Sequence, residues 1–342
     1  MSPAAGVGDV RAVILAAVMP LTSPSVLLIR LDAIGDALAL TPLLAALHAR
    51  AIPVDLVMRS VNAELFSSRA ARTIYVAPFA LRSSTRSNLR EIREFGMRLR
   101  ENGYSDTLVA TEDPGGYRLA QTVGSKHRVG FVNGWGKPFK TIWASRMLTR
   151  SIVRTAGLDP RAPHECDVLW QLGKNLAGDV AIPRDPSVLR PLILESDVPR
   201  GERIAFQVSD KWERLGIDLA QVVLALRSAA QVGEVHAIAA SSESPYAQRV
   251  EAASGVTVER FAALPPWKEA IANAAAIVTP DSGAAHVAGM VGTPTVVAFP
   301  PTRDFDLQLA RWAPWAAPYR ALRAEGTWPD QVAPALHALL DR

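Results

Sequence analysis

Two short polar segments, each directly after an apolar run, hold the residues of this chain that could do chemistry. In the first, Gly35 and Asp36 follow the run 26–29, which has the composition of a strand buried on both faces. Helical spacing of leucines begins after Asp36, so its carboxylate is expected in the first turn of a helix, where free amides and the helix dipole favour the ionised form. Such a group can act as a general base, although on this segment alone a helix cap is the simpler interpretation.

The second segment follows the apolar run 276–279 and opens another expected helix. Its free amides would bind a phosphate or diphosphate, and a glycine there allows close approach. The carboxylate of Asp281 could accept hydrogen bonds from sugar hydroxyls, or it could cap the helix. A capped helix with His286 on the surface is the structural alternative. A serine hydrolase is excluded, because the sequence Gly-x-Ser-x-Gly is absent. The residues of this predicted site are Asp281, Ser282, Gly283, Ala284 and His286.

Two further strand ends supply polar residues to the same side of the predicted sheet. Ser209 and Lys211 follow the run 203–208, and Glu243 follows the run 235–239. A lysine there could neutralise a diphosphate leaving group, and an acid in Glu243's position often binds ribose hydroxyls. A solvated loop lysine is the alternative for Lys211. Neither Gly-x-Gly-x-x-Gly after a strand nor a Walker-type phosphate loop is present, which argues against nicotinamide dehydrogenases and P-loop enzymes.

Composition limits the class of protein. The chain has 342 residues, 49% hydrophobic and 20% charged, which is typical of folded globular domains. One cysteine, Cys166, excludes an internal disulfide framework and suits a cytoplasmic location. His164-Glu165 lacks the second histidine of a zinc helix, so neither a metal site nor a cofactor is expected. Residues 1–24 are treated as an extension before the first strand, with translation starting at Met1 or Met19.

The net charge of +4 is concentrated in the first half of the chain. Two basic clusters predict an anionic partner, such as a phosphorylated acceptor or an acidic lipid surface, although a solvated helix face would explain the first equally well. Three aromatic residues, Trp135, Phe139 and Trp143, lie within the second cluster, which suits a membrane-surface or glycan contact. No nucleic-acid motif is present, so no such partner is expected. The clusters are Arg82, Arg86, Arg90, Arg93, Arg98, Arg100 and Lys126, Arg128, Lys137, Lys140, Arg146, Arg150, Arg154.

Apolar runs and helical patterns alternate along the whole chain, which predicts an α/β protein with two Rossmann-like, doubly wound parallel sheets facing a cleft. We expect strands at 26–29, 54–57, 73–76, 107–110, 128–131, 203–208, 235–239, 256–259, 276–279 and 295–298. The expected units are an N-terminal domain (25–181), a Pro-rich linker (182–199), a C-terminal domain (200–315) and a C-terminal helical segment (316–342).

The order of these pieces resembles glycosyltransferase family 9, the ADP-heptose:lipopolysaccharide heptosyltransferases. The stretch from Ile29 to Asp36 is similar to the family's strand–Ile-Gly-Asp motif. The stretch Thr279-Pro280-Asp281-Ser282-Gly283, with His286 and Gly292-Thr293-Pro294, is similar to its C-terminal signature. Shorter echoes include Gly103 to Asp106, Arg128 to Phe131 and His164-Glu165.

The resemblance implies a GT-B fold, with the acceptor on the N-terminal domain and a nucleotide-sugar on the C-terminal one. It also implies metal-independent inverting transfer from a donor such as ADP-heptose to an anionic glycan or glycolipid acceptor of the lipopolysaccharide core. Asp36 matches the family's catalytic carboxylate and Lys211 its phosphate-binding lysine. Peripheral contact with the cytoplasmic face of the inner membrane is expected. The alternatives are a GT-B sugar-nucleotide epimerase and a catalytically silent GT-B module that binds a glycan or partner.

Overall fold

The computed structural model describes residues 24–154, 164–241, 244–302 and 304–341 and has two parallel six-stranded sheets. The first has strand order β3-β2-β1-β4-β5-β6 and the second β12-β11-β10-β7-β8-β9. The strands of the first sheet are β1 Val26–Ile29, β2 Val54–Met58, β3 Thr73–Val76, β4 Asp106–Val109, β5 His127–Val132 and β6 Arg150–Val153. Those of the second are β7 Ile204–Gln207, β8 Val235–Ala239, β9 Val258–Arg260, β10 Ala276–Pro280, β11 Thr295–Phe299 and β12 Tyr319–Arg323.

Helices cover both faces of each sheet. They are α1 Ile34–Leu38, α2 Thr41–Ala49, α3 Arg86–Arg100, α4 Pro114–Val123, α5 Pro138–Ser145, α6 Glu165–Ala177, α7 Pro186–Leu189, α8 Lys211–Arg214, α9 Leu219–Ala229, α10 Pro245–Ser254, α11 Leu264–Asn273, α12 Gly283–Val291, α13 Phe305–Trp312 and α14 Val332–Leu340. Short 3₁₀ turns span Ser60–Asn62, Gly134–Gly136, Arg190–Leu192 and Trp328–Gln331. Among the described residues, no helix is both long and apolar enough to cross a bilayer.

The predicted fold class is confirmed, because both sheets are parallel and every predicted strand forms within one or two residues of its expected ends. The central strands were predictable because all their side chains are buried, as in β1 and β10. The two edge strands β6 and β12 were missed. They mix arginines with apolar residues and are mostly partly exposed or exposed, so they lack the apolar run of a central strand. The segment 316–342, expected to be helical, therefore supplies β12 as well as α14.

The two sheets are brought together by direct packing of α1 against α12. A Cβ at Gly35 would overlap the His286 imidazole, 2.9 Å from its Nε2. A Cβ at Gly283 would lie 2.9 Å from Ile34 Cγ2. Real Cβ atoms do not approach so closely, so both positions need glycine for the two helix starts to touch. The loops at the carboxyl ends of β1 and β10 consequently face the same space.

Candidate active site

The first half of the site is the turn between β1 and α1, where a buried arginine holds Asp36. Arg30 is 1% exposed and lies 3.4 Å from the Asp36 carboxylate, measured from Nη2 to Oδ1. Its Nε also donates to the backbone carbonyl of Asp36, at 3.1 Å. No side chain caps α1, whose N-cap residue is Ala33. The Asp36 carboxylate is thus held by a cation, and the capping interpretation does not apply.

A second carboxylate, Glu165 at the start of α6, shares this arginine. Glu165 is fully buried, and Arg30 Nη2 lies 3.6 Å from its Oε1. Arg154 bonds to the same oxygen, and Arg311 from α13 bonds to Oε2 at 3.1 and 3.2 Å. Because α13 connects β11 and β12 of the second sheet, the network ties the two halves of the molecule together beside Asp36.

The surroundings of Asp36 raise the pKa of its carboxyl group. Burial raises the pKa of the Asp36 carboxyl, the nearby Asp32 and Glu165 charges raise it further, and Arg30 and Arg154 act in the opposite direction. The sequence predicted that the helix start would favour the ionised form. That expectation is corrected, because loss of solvent around the carboxylate outweighs its neighbouring positive charges.

The second half of the site is the turn between β10 and α12, faced by Lys211. No side chain caps α12, and the Ser282 hydroxyl lies 3.2 Å from Thr279 Oγ1. The amide end of the helix is therefore open to a ligand, as an anion site requires. Burial raises the pKa of the Asp281 carboxyl to about 6, and the Lys211 charge acts against that shift.

One cavity of about 310 Å³ joins the two halves. It places the Asp36 carboxylate opposite a lysine and a helix N-terminus, so a group bound between them would meet a base on one side and anion-stabilising donors on the other. Its lining residues are Ala33, Gly35, Asp36, Lys211, Asp281, Ser282, Gly283, His286, Gln308 and Trp312.

His286 forms the floor of this cavity rather than a surface group. It is buried, and its ring packs edge-on against Trp312 with centroids 5.5 Å apart. Burial, with smaller effects of the His164 and Lys211 charges, lowers the pKa of His286 to about 3. The imidazole is therefore neutral at physiological pH and can offer one N–H and one lone pair to a ligand.

A second and a third cavity continue from Lys211 along the carboxyl edge of the second sheet. They measure about 410 and 420 Å³, and Gln207, Ser209 and Ala240 line both. The Ser209 hydroxyl is buried and has no hydrogen-bond partner among the described residues, and the same holds for the Tyr246 hydroxyl in the third cavity. Buried polar atoms are normally satisfied, so unpaired ones that line a cavity indicate a polar ligand. Ala284 lines the second cavity.

The structure thus brings together all the predicted site residues except one. Glu243 lies outside the described residues. Trp212, which follows Lys211 in the sequence, is fully buried and stacks on Phe206 and Trp328. The described residues contain no cluster of three or more His, Cys, Asp or Glu that could hold a metal ion.

Sequence reasoning missed the charged residues that hold Asp36 in place, chiefly Arg30, Glu165 and Arg311. An arginine between the apolar run and Asp36 was a usable signal, because a fully buried arginine needs an acidic partner. One of its acidic partners, Glu165, is far away in sequence, and its similarity to a family segment did not indicate that it pairs with Arg30. Gln308 and Trp312 of α13 were also missed.

The comparisons with known proteins agree with this geometry. The sequence model of glycosyltransferase family 9 (heptosyltransferase) matches residues 217–336. The family predicted from the motifs is therefore confirmed over these residues, and with it the class of enzyme. No curated protein matches the chain in sequence.

Solved structures match nearly the whole chain. The family 9 glycosyl transferase from Veillonella parvula DSM 2008 has a TM-score of 0.67 at 16% identity, covering 94% of this chain and 98% of that one. E. coli ADP-heptose lps heptosyltransferase II has a TM-score of 0.67 at 19% identity, with 92% and 98% covered. E. coli heptosyltransferase WaaC with ADP has a TM-score of 0.66 at 17% identity, with 93% and 99% covered. At these identities, the matches establish the fold, which is that of GT-B glycosyltransferases.

Proposed function

We propose that this chain, which carries glycosyltransferase family 9 sequence over residues 217–336, is an inverting, metal-independent glycosyltransferase. The donor is a nucleoside-diphosphate sugar, and we propose ADP-heptose. The acceptor is a hydroxyl of a lipopolysaccharide-core or related glycan. The observation that carries the proposal is the single cavity that holds Asp36 on one wall and Lys211 with the start of α12 on the other.

In this mechanism, the Asp36 carboxylate takes the proton of the acceptor hydroxyl. The acceptor oxygen forms a bond to the anomeric carbon on the face away from the nucleotide, and the bond from that carbon to the β-phosphate oxygen breaks. The electron pair leaves with the diphosphate, where Lys211 and the α12 amides stabilise it. A charged diphosphate leaves without a proton, so one base is sufficient and the configuration inverts.

The chain of cavities supports a nucleotide donor. The diphosphate would lie at Lys211, and the nucleoside would extend along the second and third cavities past the unpaired hydroxyls of Ser209 and Tyr246. Glu243 is the proposed ribose ligand. In this proposal, a lipid-linked acceptor brings the enzyme to the cytoplasmic face of the inner membrane.

The decisive test replaces the base without changing its size. Asp36→Asn is expected to lower turnover by roughly 10²–10⁴-fold, the usual contribution of a general base, while affinity for ADP, measured by calorimetry, stays within about twofold. Turnover by Asp36→Asn at the wild-type rate would overturn the assignment.

The identity of the donor is tested separately. A thermal-shift screen with ADP-, GDP-, UDP- and dTDP-sugars should give the largest stabilisation with the ADP-sugar. A preference for UDP-sugars would contradict the heptose assignment while leaving the glycosyltransferase mechanism intact. Product that forms from the donor without any acceptor would favour an epimerase.

A further inference from the structure

The most unusual surface of the molecule lies on the 3₁₀ turn Gly134–Gly136 and helix α5. Trp135 is 96% exposed, Phe139 88% and Ile142 54%. Val153 of the neighbouring edge strand is 61% exposed, and a Cβ at Gly134 would lie 3.2 Å from its Cγ1. These four residues, called here the α5 patch, form one exposed apolar surface, and contiguous exposed apolar surface on a folded domain marks an interaction site.

The patch is not needed to hold α5 on the domain. The inner side of the helix carries Trp143, which packs edge-on against Tyr117 with centroids 5.9 Å apart, and Ala144, which is buried. Phe139 and Ile142 are three residues apart and neighbour each other on the helix surface, and both are exposed. The apolar residues of α5 therefore form two sets, one packed against the domain and one exposed to solvent.

The segment of sequence that carries α5 has basic residues but no acidic ones. From Pro114 to Arg154, the sequence has eight lysines and arginines and no aspartate or glutamate. Three of these cations, Lys137, Arg146 and Arg150, are exposed and form no ion pair with the described residues. An apolar surface with tryptophan and phenylalanine at its centre and free cations around it matches the interface of an anionic bilayer, with rings at headgroup depth and ammonium or guanidinium groups on lipid phosphates.

The patch also lies on the same edge of the sheet as the proposed base. Both follow carboxyl ends of parallel strands, Asp36 after β1 and α5 after β5, with only β4 between them. Lys140 of α5 is paired with Glu112 after β4 at 3.0 Å, and Arg154 joins Glu112 to Glu165 beside Arg30. A surface resting on α5 would thus adjoin the acceptor side of the cavity.

We propose that the α5 patch is a membrane-docking surface that inserts Trp135, Phe139 and Ile142 into the headgroup region of an anionic bilayer while Lys137, Arg146 and Arg150 bind lipid phosphates. Docking goes beyond sugar transfer and rests on the proposed function only in that it would present a lipid-linked acceptor to Asp36.

The test is co-sedimentation of the full chain with vesicles of phosphatidylcholine, alone or mixed with phosphatidylglycerol. Wild-type protein is expected to bind the mixed vesicles and to lose roughly tenfold in partition on phosphatidylcholine alone. Trp135→Ser with Phe139→Ser, and separately Lys137→Gln with Arg146→Gln, should each weaken binding to the mixed vesicles by roughly tenfold or more.

Two matched controls separate this surface from others. Val188→Ser with Leu224→Ser removes apolar side chains that are 46% and 52% exposed elsewhere and should leave binding unchanged. Arg86→Gln with Arg93→Gln removes two exposed cations of α3, the other basic region, and should also leave it unchanged. Thermal stabilisation by ADP, expected to be equal in all variants, shows that each is folded.

Three results would overturn the proposal. One is that wild-type protein does not bind anionic vesicles, and another is that the α3 variants lose binding while the α5 variants keep it. The third is a wild-type dimer that Trp135→Ser with Phe139→Ser converts to monomer, which would make the patch an interface between copies of the chain. Because vesicle binding does not use Asp36, Asp36→Asn should bind vesicles normally, so failure of docking and failure of the transfer mechanism give different results.

Discussion

The turns β1–α1 and β10–α12 are built alike and are electrostatically different. In each, a fully buried parallel strand leads through a few residues to a helix that no side chain caps, and a glycine touches the other half of the molecule. At β1–α1, the carboxylate is held by Arg30, which Glu165 shares. At β10–α12, the helix start is left open, and the nearby Ser209 hydroxyl has no partner among the described residues.

The difference follows from what each turn would bind. A general base must be fixed in place and keep its charge, which requires partners supplied by the protein itself. A site for a leaving diphosphate must keep its donors free until the ligand arrives. The same local fold can therefore serve both roles, and the partners of each turn decide which role it has.

The largest expected effect comes from breaking the charge network at the first turn. Glu165→Gln leaves Arg30, Arg154 and Arg311 without their shared anion, and removal of one partner of a buried pair costs about 3–5 kcal/mol. The free energy of unfolding in urea should fall by that amount. The acid limb of kcat/KM should also move to lower pH, because Glu165 is one of the charges that raise the pKa of Asp36.

Glu112→Gln is the matched control for this change. Glu112 pairs with Lys140 and Arg154 but is half-exposed, so its loss should cost less than about 1 kcal/mol. If the two variants were equally stable, the buried network would not be what holds the base.

The second-largest expected effect tests the turn β10–α12, whose helix start is open to a ligand. Lys211→Met removes the only lysine in the cavity lining, and the loss of one charge-assisted contact weakens binding by roughly 1.5–3 kcal/mol. ADP affinity should fall about 10–100-fold by calorimetry. Lys174→Met, at an exposed lysine outside the cavity lining, should leave affinity unchanged, and equal affinities of the two variants would exclude Lys211 from the phosphate site.

The two turns also show what sequence could and could not reveal. Buried strands, glycines and acids at helix starts are local features, so Gly35, Asp36 and the segment from Asp281 to His286 were found without coordinates. The partners that set their electrostatics come from distant parts of the chain. Arg30 reaches Glu165, which is 135 positions away, and Trp312 reaches His286 from the next helix. Burial is the largest cause of the raised pKa of Asp36, and the charge of the distant Glu165 adds to it. Neither can be seen in the local sequence, which predicted the opposite direction.

Contact between the turns is tested at Gly35. Gly35→Ala places a methyl group against the His286 ring, and such overpacking costs about 1–3 kcal/mol. Because α1 and α12 then move apart, kcat should fall more than ADP affinity. Gly136→Ala is the control, since a Cβ there has no atom within 4 Å. Unchanged kcat in Gly35→Ala would mean that close contact of the two helix starts is not needed for transfer.

The smallest expected effect is a pH dependence that belongs to the second turn. Burial raises the pKa of Asp281 to about 6, so the folded state favours the neutral carboxyl. The resulting contribution to the free energy of unfolding is present at low pH and is lost as the pH rises through about 6. The ionised carboxylate also places a negative charge beside the proposed diphosphate site. Affinity for an ADP-sugar should therefore fall roughly three- to tenfold as pH rises through that value, with Lys211 offsetting part of the repulsion.

An intact ADP-sugar is the right probe for this effect, because both of its phosphates are esterified and carry no proton that titrates near neutrality. Asp281→Asn has no carboxylate to ionise, so its affinity for the ADP-sugar should be the same at every pH. That affinity should equal the affinity of the wild-type protein at a pH below the pKa of Asp281. Calorimetry at matched ionic strength measures both. A wild-type profile as flat as that of Asp281→Asn would mean that Asp281 does not face the diphosphate, and the electrostatic contrast between the two turns would then rest on Lys211 and the α12 amides alone.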